Sequence, residues 1–140
     1  NLMMGAYLSN DAQETARRLQ EVYDLFPKLK DRRQQIASGL SGGERRMVGI
    51  GRGLMSNVRL MMLDEPSLGL APLVIEQIYE ALTQLRTRGM AFLVVEENPS
   101  RLIQFADNLC LMDGGHIVWQ GATEEARNSG EILKTYLGGH

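Results

Sequence analysis

Residues 60–66 read Leu60-Met61-Met62-Leu63-Asp64-Glu65-Pro66, an unbroken apolar run that stops at two acids and a proline. So short a run, closed by turn-forming residues, predicts a strand buried on both faces that delivers its acids at the carboxyl end. Acids at a strand end are often only polar caps. Paired carboxylates in that place also suit phosphoryl chemistry. One can hold Mg2+, usually through water, while its neighbour orients or deprotonates an attacking water.

One helix upstream lies Leu40-Ser41-Gly42-Gly43-Glu44. Ser41 with Glu44 forms a capping box. It opens a helix whose inner face carries Met47, Ile50, Gly51 and Leu54 and which ends near Ser56-Asn57. Adjacent glycines at a helix start leave backbone N–H groups uncovered at the positive end of the helix dipole, which suits phosphate oxygens. An ordinary helix cap accounts for the same residues.

Further out, Ala12, Ala16, Leu19, Val22, Tyr23 and Phe26 recur at helical spacing, predicting an amphipathic helix over 11–26 that Pro27 stops. Residues 28–35 are dense in charge without interleaved aromatics and read as solvated surface. Arg45 and Arg46 are assigned the same solvated role, with contact to phosphate or an acidic partner as the alternative. Pro72 starts a third helix, with Val74, Ile78, Leu82 and Leu85 inward, that ends at Gly89. Residues 90–95 read as a second buried strand and 99–105 as a short helix. Leu109-Cys110-Leu111-Met112 reads as a third strand, joined through a tight turn at Asp113-Gly114 to Ile117-Val118-Trp119. Helices over 123–128 and 131–137 close the chain. Strands separated by long helical segments predict parallel crossovers and a three-layer α/β arrangement. Leu2-Met3-Met4-Gly5 reads as the end of a helix already under way, so the chain is expected to be a fragment.

Composition sets the outer bounds. The 140 residues carry 15 Lys+Arg against 17 Asp+Glu, a net charge of −2, with 44% hydrophobic and 23% charged residues. These values describe one ordinary globular domain and exclude wholesale disorder. They give no basic footprint for nucleic acid or anionic lipid. The single cysteine, Cys110, cannot form an internal disulfide, and two histidines, His116 and His140, are too few for most zinc sites. A reducing, cytosolic setting follows. Cys110 is assigned to inert core, and the eight methionines mostly to inward positions. No apolar run approaches the roughly 20 residues that span a bilayer, and no signal peptide is visible, so any membrane role is peripheral.

In this order, Leu40-Ser41-Gly42-Gly43-Glu44, Gly51-Arg52-Gly53-Leu54 and Leu60-Met61-Met62-Leu63-Asp64-Glu65-Pro66 resemble the signature helix and Walker B strand of ABC-type ATPases. Three further stretches resemble the ATP-binding subunits of branched-chain amino acid importers. They are Glu65-Pro66-Ser67-Leu68-Gly69-Leu70-Ala71-Pro72, Val95-Glu96-Glu97-Asn98 and Tyr136-Leu137-Gly138-Gly139. The resemblance covers essentially the whole chain. It implies a three-layer, P-loop NTPase-like fragment with a helical signature region at 1–57. Residues 58–140 would then form the Walker B half of the core, with parallel strands, a hairpin and C-terminal helices.

The resemblance also implies ATP and Mg2+ as ligands. Ser41, Gly42, Gly43 and Glu44 match the signature that meets the γ-phosphate of ATP held by a second ATPase subunit, in a head-to-tail dimer. Asp64 matches the aspartate near Mg2+, Glu65 the catalytic glutamate that acts on water, and Glu97 with Asn98 the switch position. The implied setting is the cytoplasmic side of the cell membrane, with residues 2–35 docking a permease helix. A periplasmic or extracellular amino-acid-binding protein would be an indirect partner, and nucleic acid is not an expected one.

Several positions depart from the family pattern. Glu44 stands where glutamine is common, Ala71 where an aspartate is usual, and Glu97 where most members have histidine. A carboxylate donates no hydrogen bond unless protonated. Either Asn98 substitutes, or another subunit does more of the hydrolysis. No Gly-x-x-x-x-Gly-Lys-Ser/Thr loop occurs in the sequence, so the chain alone is expected not to turn over ATP. Without neighbouring strands, the core half should expose bare edges and an apolar face. At about 25 cal/mol per Å², a few hundred Å² uncovered costs several kcal/mol, so self-association or rearranged pairing is expected. Two alternatives stand beside the importer reading: a non-transport ABC ATPase of DNA repair or translation, and a non-catalytic dimerisation or interaction module.

Overall fold

The computed structural model describes residues 1–129, so the helix expected at 131–137 and the Tyr136-Leu137-Gly138-Gly139 stretch lie outside the described residues. The chain divides into two compact units, Asn1–Leu93 and Val94 onward. The elements of the first are α1 (Leu2–Gly5), α2 (Ala12–Leu25), α3 (Pro27–Asp31), α4 (Gly42–Met55), β1 (Leu60–Asp64), α5 (Pro72–Thr87) and the start of β2 (Ala91–Val95).

Helix α4 is the hub, against which α1, α2, α3 and α5 all pack. Its sequence, GGERRMVGIGRGLM, holds five glycines in 14 residues. Glycine inside a helix costs about 1 kcal/mol relative to alanine, so α4 owes its stability to its cap and its neighbours. Close approach explains one of these glycines. A Cβ at Gly51 would lie 2.8 Å from both Leu2 Cδ2 and Val22 Cγ1. Polar ties reinforce the same contacts: Ser56 Oγ donates to the Gly5 carbonyl at 2.7 Å and Arg18 Nη1 to the Met55 carbonyl at 3.1 Å.

The inner face of α2 runs through Thr15, Leu19, Val22 and Phe26, whereas Ala12 and Ala16, expected to face inward, are exposed. Thr15 occupies the inner stripe because its hydroxyl is satisfied locally, donating to the Asp11 carbonyl at 2.8 Å. A polar side chain with an internal partner can replace an apolar one there. Asp11 caps the helix by accepting the Glu14 N–H at 3.0 Å. Hydrogen bonds from Arg17 and then Arg18 hold the Glu14 carboxyl down at about 2.

The strands differ from expectation. Neither β1 nor β2 is buried on both faces: Leu60 is 52%, Met62 69% and Leu93 53% exposed, while Met61 is buried. Among the described residues β1 and β2 form a two-stranded sheet. Met61 faces α4, where a Cβ at Gly53 would stand 3.0 Å from its Cε. A strand's burial is set by the layers laid over it, and only one face of β1 is covered. The methionine assignment fails as well. Met47, Met55 and Met61 are buried, but Met3, Met4, Met62 and Met112 are exposed.

The second unit holds α6 (Pro99–Phe105), β3 (Asn108–Asp113), β4 (His116–Ala122) and α7 (Thr123–Asn128). Strands β3 and β4 pair antiparallel, with Asp113 opposite His116. Gly114 and Gly115 turn the chain with φ of 53° and 80°, the double positive φ of a type I′ hairpin. Leu109 and Ala126 are buried, with Leu102, Ile103, Ala106, Leu111 and Trp119 packed around them. Thr123 locks α7 onto this core, its hydroxyl donating to the Ala106 carbonyl at 2.7 Å. Cys110 is exposed rather than core. Leu109 is buried and Leu111 partly so, and alternation along the strand turns the residue between them to the other face.

Candidate functional site

Two of the sequence-predicted groups belong to the first unit. At the head of α4, Ser41 and Glu44 close the capping box: Ser41 N–H donates to Glu44 Oε2 at 2.8 Å, and Glu44 N–H to Ser41 Oγ at 3.3 Å. Glu44 is 8% exposed. Its other oxygen, Oε1, lies 3.0 Å from Arg32 Nε. The Ser41 N–H bond, ahead of the Arg32 charge, holds the Glu44 carboxyl below the usual carboxylate range. The acid in place of glutamine is therefore turned back into its own cap and neutralised.

Arg32 was expected to be solvated surface. It is exposed, and it is also anchored to the first turn of α4, while its Nη1 donates to Gln35 Oε1 at 3.0 Å.

The two glycines are not equivalent. With the Ser41 N–H engaged in the cap, the first N–H groups of α4 proper belong to Gly42 and Gly43. Gly42 is exposed, and a Cβ there would meet nothing closer than Leu70 Cδ2 at 3.7 Å. Gly43 is buried against α5, where a Cβ would stand 2.4 Å from Val74 Cγ1. Gly43 is thus required sterically by this fold, whatever ligand the helix end meets.

At the end of β1, Asp64 is exposed and Glu65 half-buried. Glu65 has φ 43°, in the left-handed region that a non-glycine residue rarely adopts. Pro66 and Ser67 behind it are buried. Its carbonyl accepts the Leu68 N–H at 3.2 Å and, from α4, Arg46 Nη2 at 3.0 Å. This corrects the assignment of Arg46 to a solvated face. Arg45 stays exposed as expected, its Nη1 donating to the Leu40 carbonyl. Nothing in local spacing joins Arg46 to Glu65, which lie 19 residues apart. Ala71, where the family has an aspartate, is the exposed N-cap of α5 and makes no side-chain cap bond.

The switch-position residues fall in the second unit. Glu97 is exposed. Asn98 caps α6, its Oδ1 accepting the Ser100 N–H at 3.0 Å. That bond uses the acceptor end of the amide, whose other end is a donor. Glu96, which the sequence did not single out, has a side chain only 3% exposed and lies 3.8 Å from Arg101 Nη1. Among the described residues no helix is long and apolar enough to cross a membrane.

A capped glycine start on a central helix, followed in the chain by a strand ending in two acids, is the arrangement expected of the signature and Walker B portion of an ABC-type ATP-binding domain. The ABC transporter family model matches residues 3–68. That match covers just under half of the chain. The high-affinity branched-chain amino acid transport ATP-binding protein BraG of Pseudomonas aeruginosa is 40% identical over 139 residues, covering 99% of this chain and 59% of the relative. The lipopolysaccharide export system ATP-binding protein LptB of Haemophilus influenzae is 30% identical, covering 99% of this chain and 58% of that protein.

The chain therefore spans less than two thirds of the length of the curated relatives it matches. Among solved structures, an ATP-binding cassette of an ABC transporter superposes with a TM-score of 0.71 at 29% identity, over 84% of this chain and 49% of that one. An ATP-binding subunit of an ABC transporter, 22% identical, shares the fold with a TM-score of 0.79 over 98% of this chain and 57% of the other.

Proposed function

We propose that this chain is the signature and Walker B portion of a subunit that hydrolyses ATP to drive import of branched-chain or similar hydrophobic amino acids. The likeness to BraG supports the cargo class. The single observation that carries the hydrolytic reading is the acidic turn, where Glu65 is held at φ 43° beside Asp64 and tied to the helix that begins at Ser41. In this reading residues 1–57 form the helical signature region and 58–140 the Walker B half of one ATPase domain. The subunit works on the cytoplasmic side of the membrane as a head-to-tail pair, docked on permease subunits and fed through an amino-acid-binding protein.

The roles divide by chemistry. Gly42 and Gly43 N–H, with the Ser41 hydroxyl, offer donors to the γ-phosphate of ATP held by the partner subunit. Glu44 stays in its cap, and Arg32 offsets its charge, so that donor set meets an anion without a bare carboxylate beside it. Asp64 is exposed at the strand end and supplies one hard oxygen donor. One carboxylate with waters and phosphate oxygens suits Mg2+. When bound, the ion neutralises charge developing on the phosphates. Glu65 orients and deprotonates the attacking water. At the switch, the Asn98 amide nitrogen, rather than the Glu97 carboxylate, is the group able to donate to a phosphate.

The test is ATP hydrolysis and leucine uptake by the full-length subunit assembled with its permease. Glu65→Gln is expected to lower hydrolysis by about 10²–10⁴-fold, the usual contribution of a positioned general base. Hydrolysis near the unsubstituted rate would overturn the assignment of Glu65. Intact hydrolysis unaffected by hydrophobic amino acids would overturn the cargo.

A further inference from the structure

Glu65 combines two backbone features that oppose each other. It lies in the left-handed region at φ 43°, and it precedes Pro66, whose ring restricts the residue before it to extended conformations. Such a conformation persists only where its surroundings fix it. Two donors meet at the Glu65 carbonyl. The Leu68 N–H, at 3.2 Å, belongs to the turn itself. Arg46 Nη2, at 3.0 Å, comes from α4. Arg46 lies four residues beyond Gly42, one turn along the same helix, and is half-buried. The backbone at Glu65 sets where its Cα–Cβ bond points, and so where the carboxylate can reach.

We propose that Arg46 is a positioning residue: it pins the Glu65 peptide in its left-handed conformation, aims the carboxylate at the attacking water, and ties that aim to the seating of α4. A shift of the α4 N-terminus is then carried through one guanidinium to the acid. The inference rests on the reading of Glu65 as the group that acts on water.

The experiment uses the full-length subunit assembled with its partner, and compares Arg46→Met, Arg46→Lys and Glu65→Gln. Methionine keeps an apolar stem and removes every donor, while lysine keeps a cationic donor group. The readouts are the single-turnover rate of bound ATP, which does not depend on the fraction folded, the KM for ATP, and ATP-dependent subunit association. Arg46→Met is expected to slow single turnover by on the order of tenfold to a hundredfold, the cost of a small misplacement of a reacting group. KM and association stay unchanged, and Arg46→Lys recovers part of the rate.

A normal single-turnover rate in Arg46→Met, with Glu65→Gln inactive, would overturn the role of Arg46 alone. So would loss of rate together with association and no rescue by lysine, which marks a residue that only holds the fold. Normal hydrolysis in Glu65→Gln would overturn the reading beneath it and the inference with it.

Discussion

Arg32 Nε stands 3.0 Å from Glu44 Oε1, so the acid that replaces the usual signature glutamine carries its own counter-charge from the end of α3. The Ser41 N–H bond first, with the Arg32 charge adding to it, makes the folded chain hold the Glu44 proton less tightly than the unfolded chain does. For a carboxyl shifted down, the added stability is complete above the unfolded pKa and is lost as pH falls through the folded one. Unfolding midpoints measured from pH 7 down to pH 3 should show the unsubstituted chain more stable than Glu44→Gln at neutral pH, with the gap closing below about pH 4.5. A gap independent of pH would mean that the carboxylate charge contributes nothing. Arg32→Ala should narrow the neutral-pH gap.

The interior glycines of α4 separate by what surrounds them. Gly49 has nothing within 4 Å of a Cβ position, so Gly49→Ala should stabilise the chain by roughly 0.5–1 kcal/mol through helix propensity. At Gly51 the same Cβ would meet Leu2 and Val22 at 2.8 Å, and Gly51→Ala should destabilise by about 1–3 kcal/mol. Urea unfolding of the two variants gives opposite signs if these contacts hold.

Gly42 and Gly43 should separate in the same way. Gly43→Ala drives a methyl into Val74 Cγ1 and should lower stability, and Val74→Ala in the same chain should recover part of the loss. Gly42→Ala should leave stability nearly unchanged. A double-mutant cycle showing no coupling between residues 43 and 74 would contradict the packing.

Phosphate release by the 140-residue chain alone, with ATP and Mg2+, should not exceed the background, since its sequence holds no Gly-x-x-x-x-Gly-Lys-Ser/Thr loop. Turnover that disappears on Glu65→Gln would contradict this.

Cys110, exposed on the outer face of β3, should react with a thiol-specific reagent in the native chain without denaturant. Protection comparable to that of a core thiol would place the strand's faces the other way round.

What was legible in the sequence was local. The capping box joins residues three apart, and the helix starts at Pro72 and Pro99 follow from a fixed φ and a missing N–H. The hairpin was expected, but its turn is at Gly114-Gly115 rather than Asp113-Gly114, since Asp113 pairs with His116 in the ladder. Burial was read less well. The apolar runs at 60–63 and 90–95 were expected to be enclosed, yet Leu60, Met62 and Leu93 are exposed, because a run of apolar residues reports what a strand could bury and not which layers reach it. In α2 the inner stripe passes through Thr15, whose hydroxyl finds a local acceptor, so hydrophobic spacing alone chose Ala16 instead.

The candidate site divides along the same line. Ser41, Gly42, Gly43, Asp64 and Glu65 stand out from their neighbours by residue type and spacing. Arg32 did not, being one more charge in a charged stretch, and Arg46, weighed as a phosphate or acidic-partner contact, was assigned to a solvated face rather than to a backbone carbonyl. The sequence by itself determined the order of the longer elements, though not α3, together with the helix cap and the paired acids, since short-range backbone geometry and hydrogen bonding specify these within a few residues. Only the tertiary structure decided that Arg46 reaches the Glu65 carbonyl, that Arg32 neutralises Glu44, and that Gly43 is fixed by Val74. Those contacts arise where helices and a strand meet, and their distances depend on how whole elements pack.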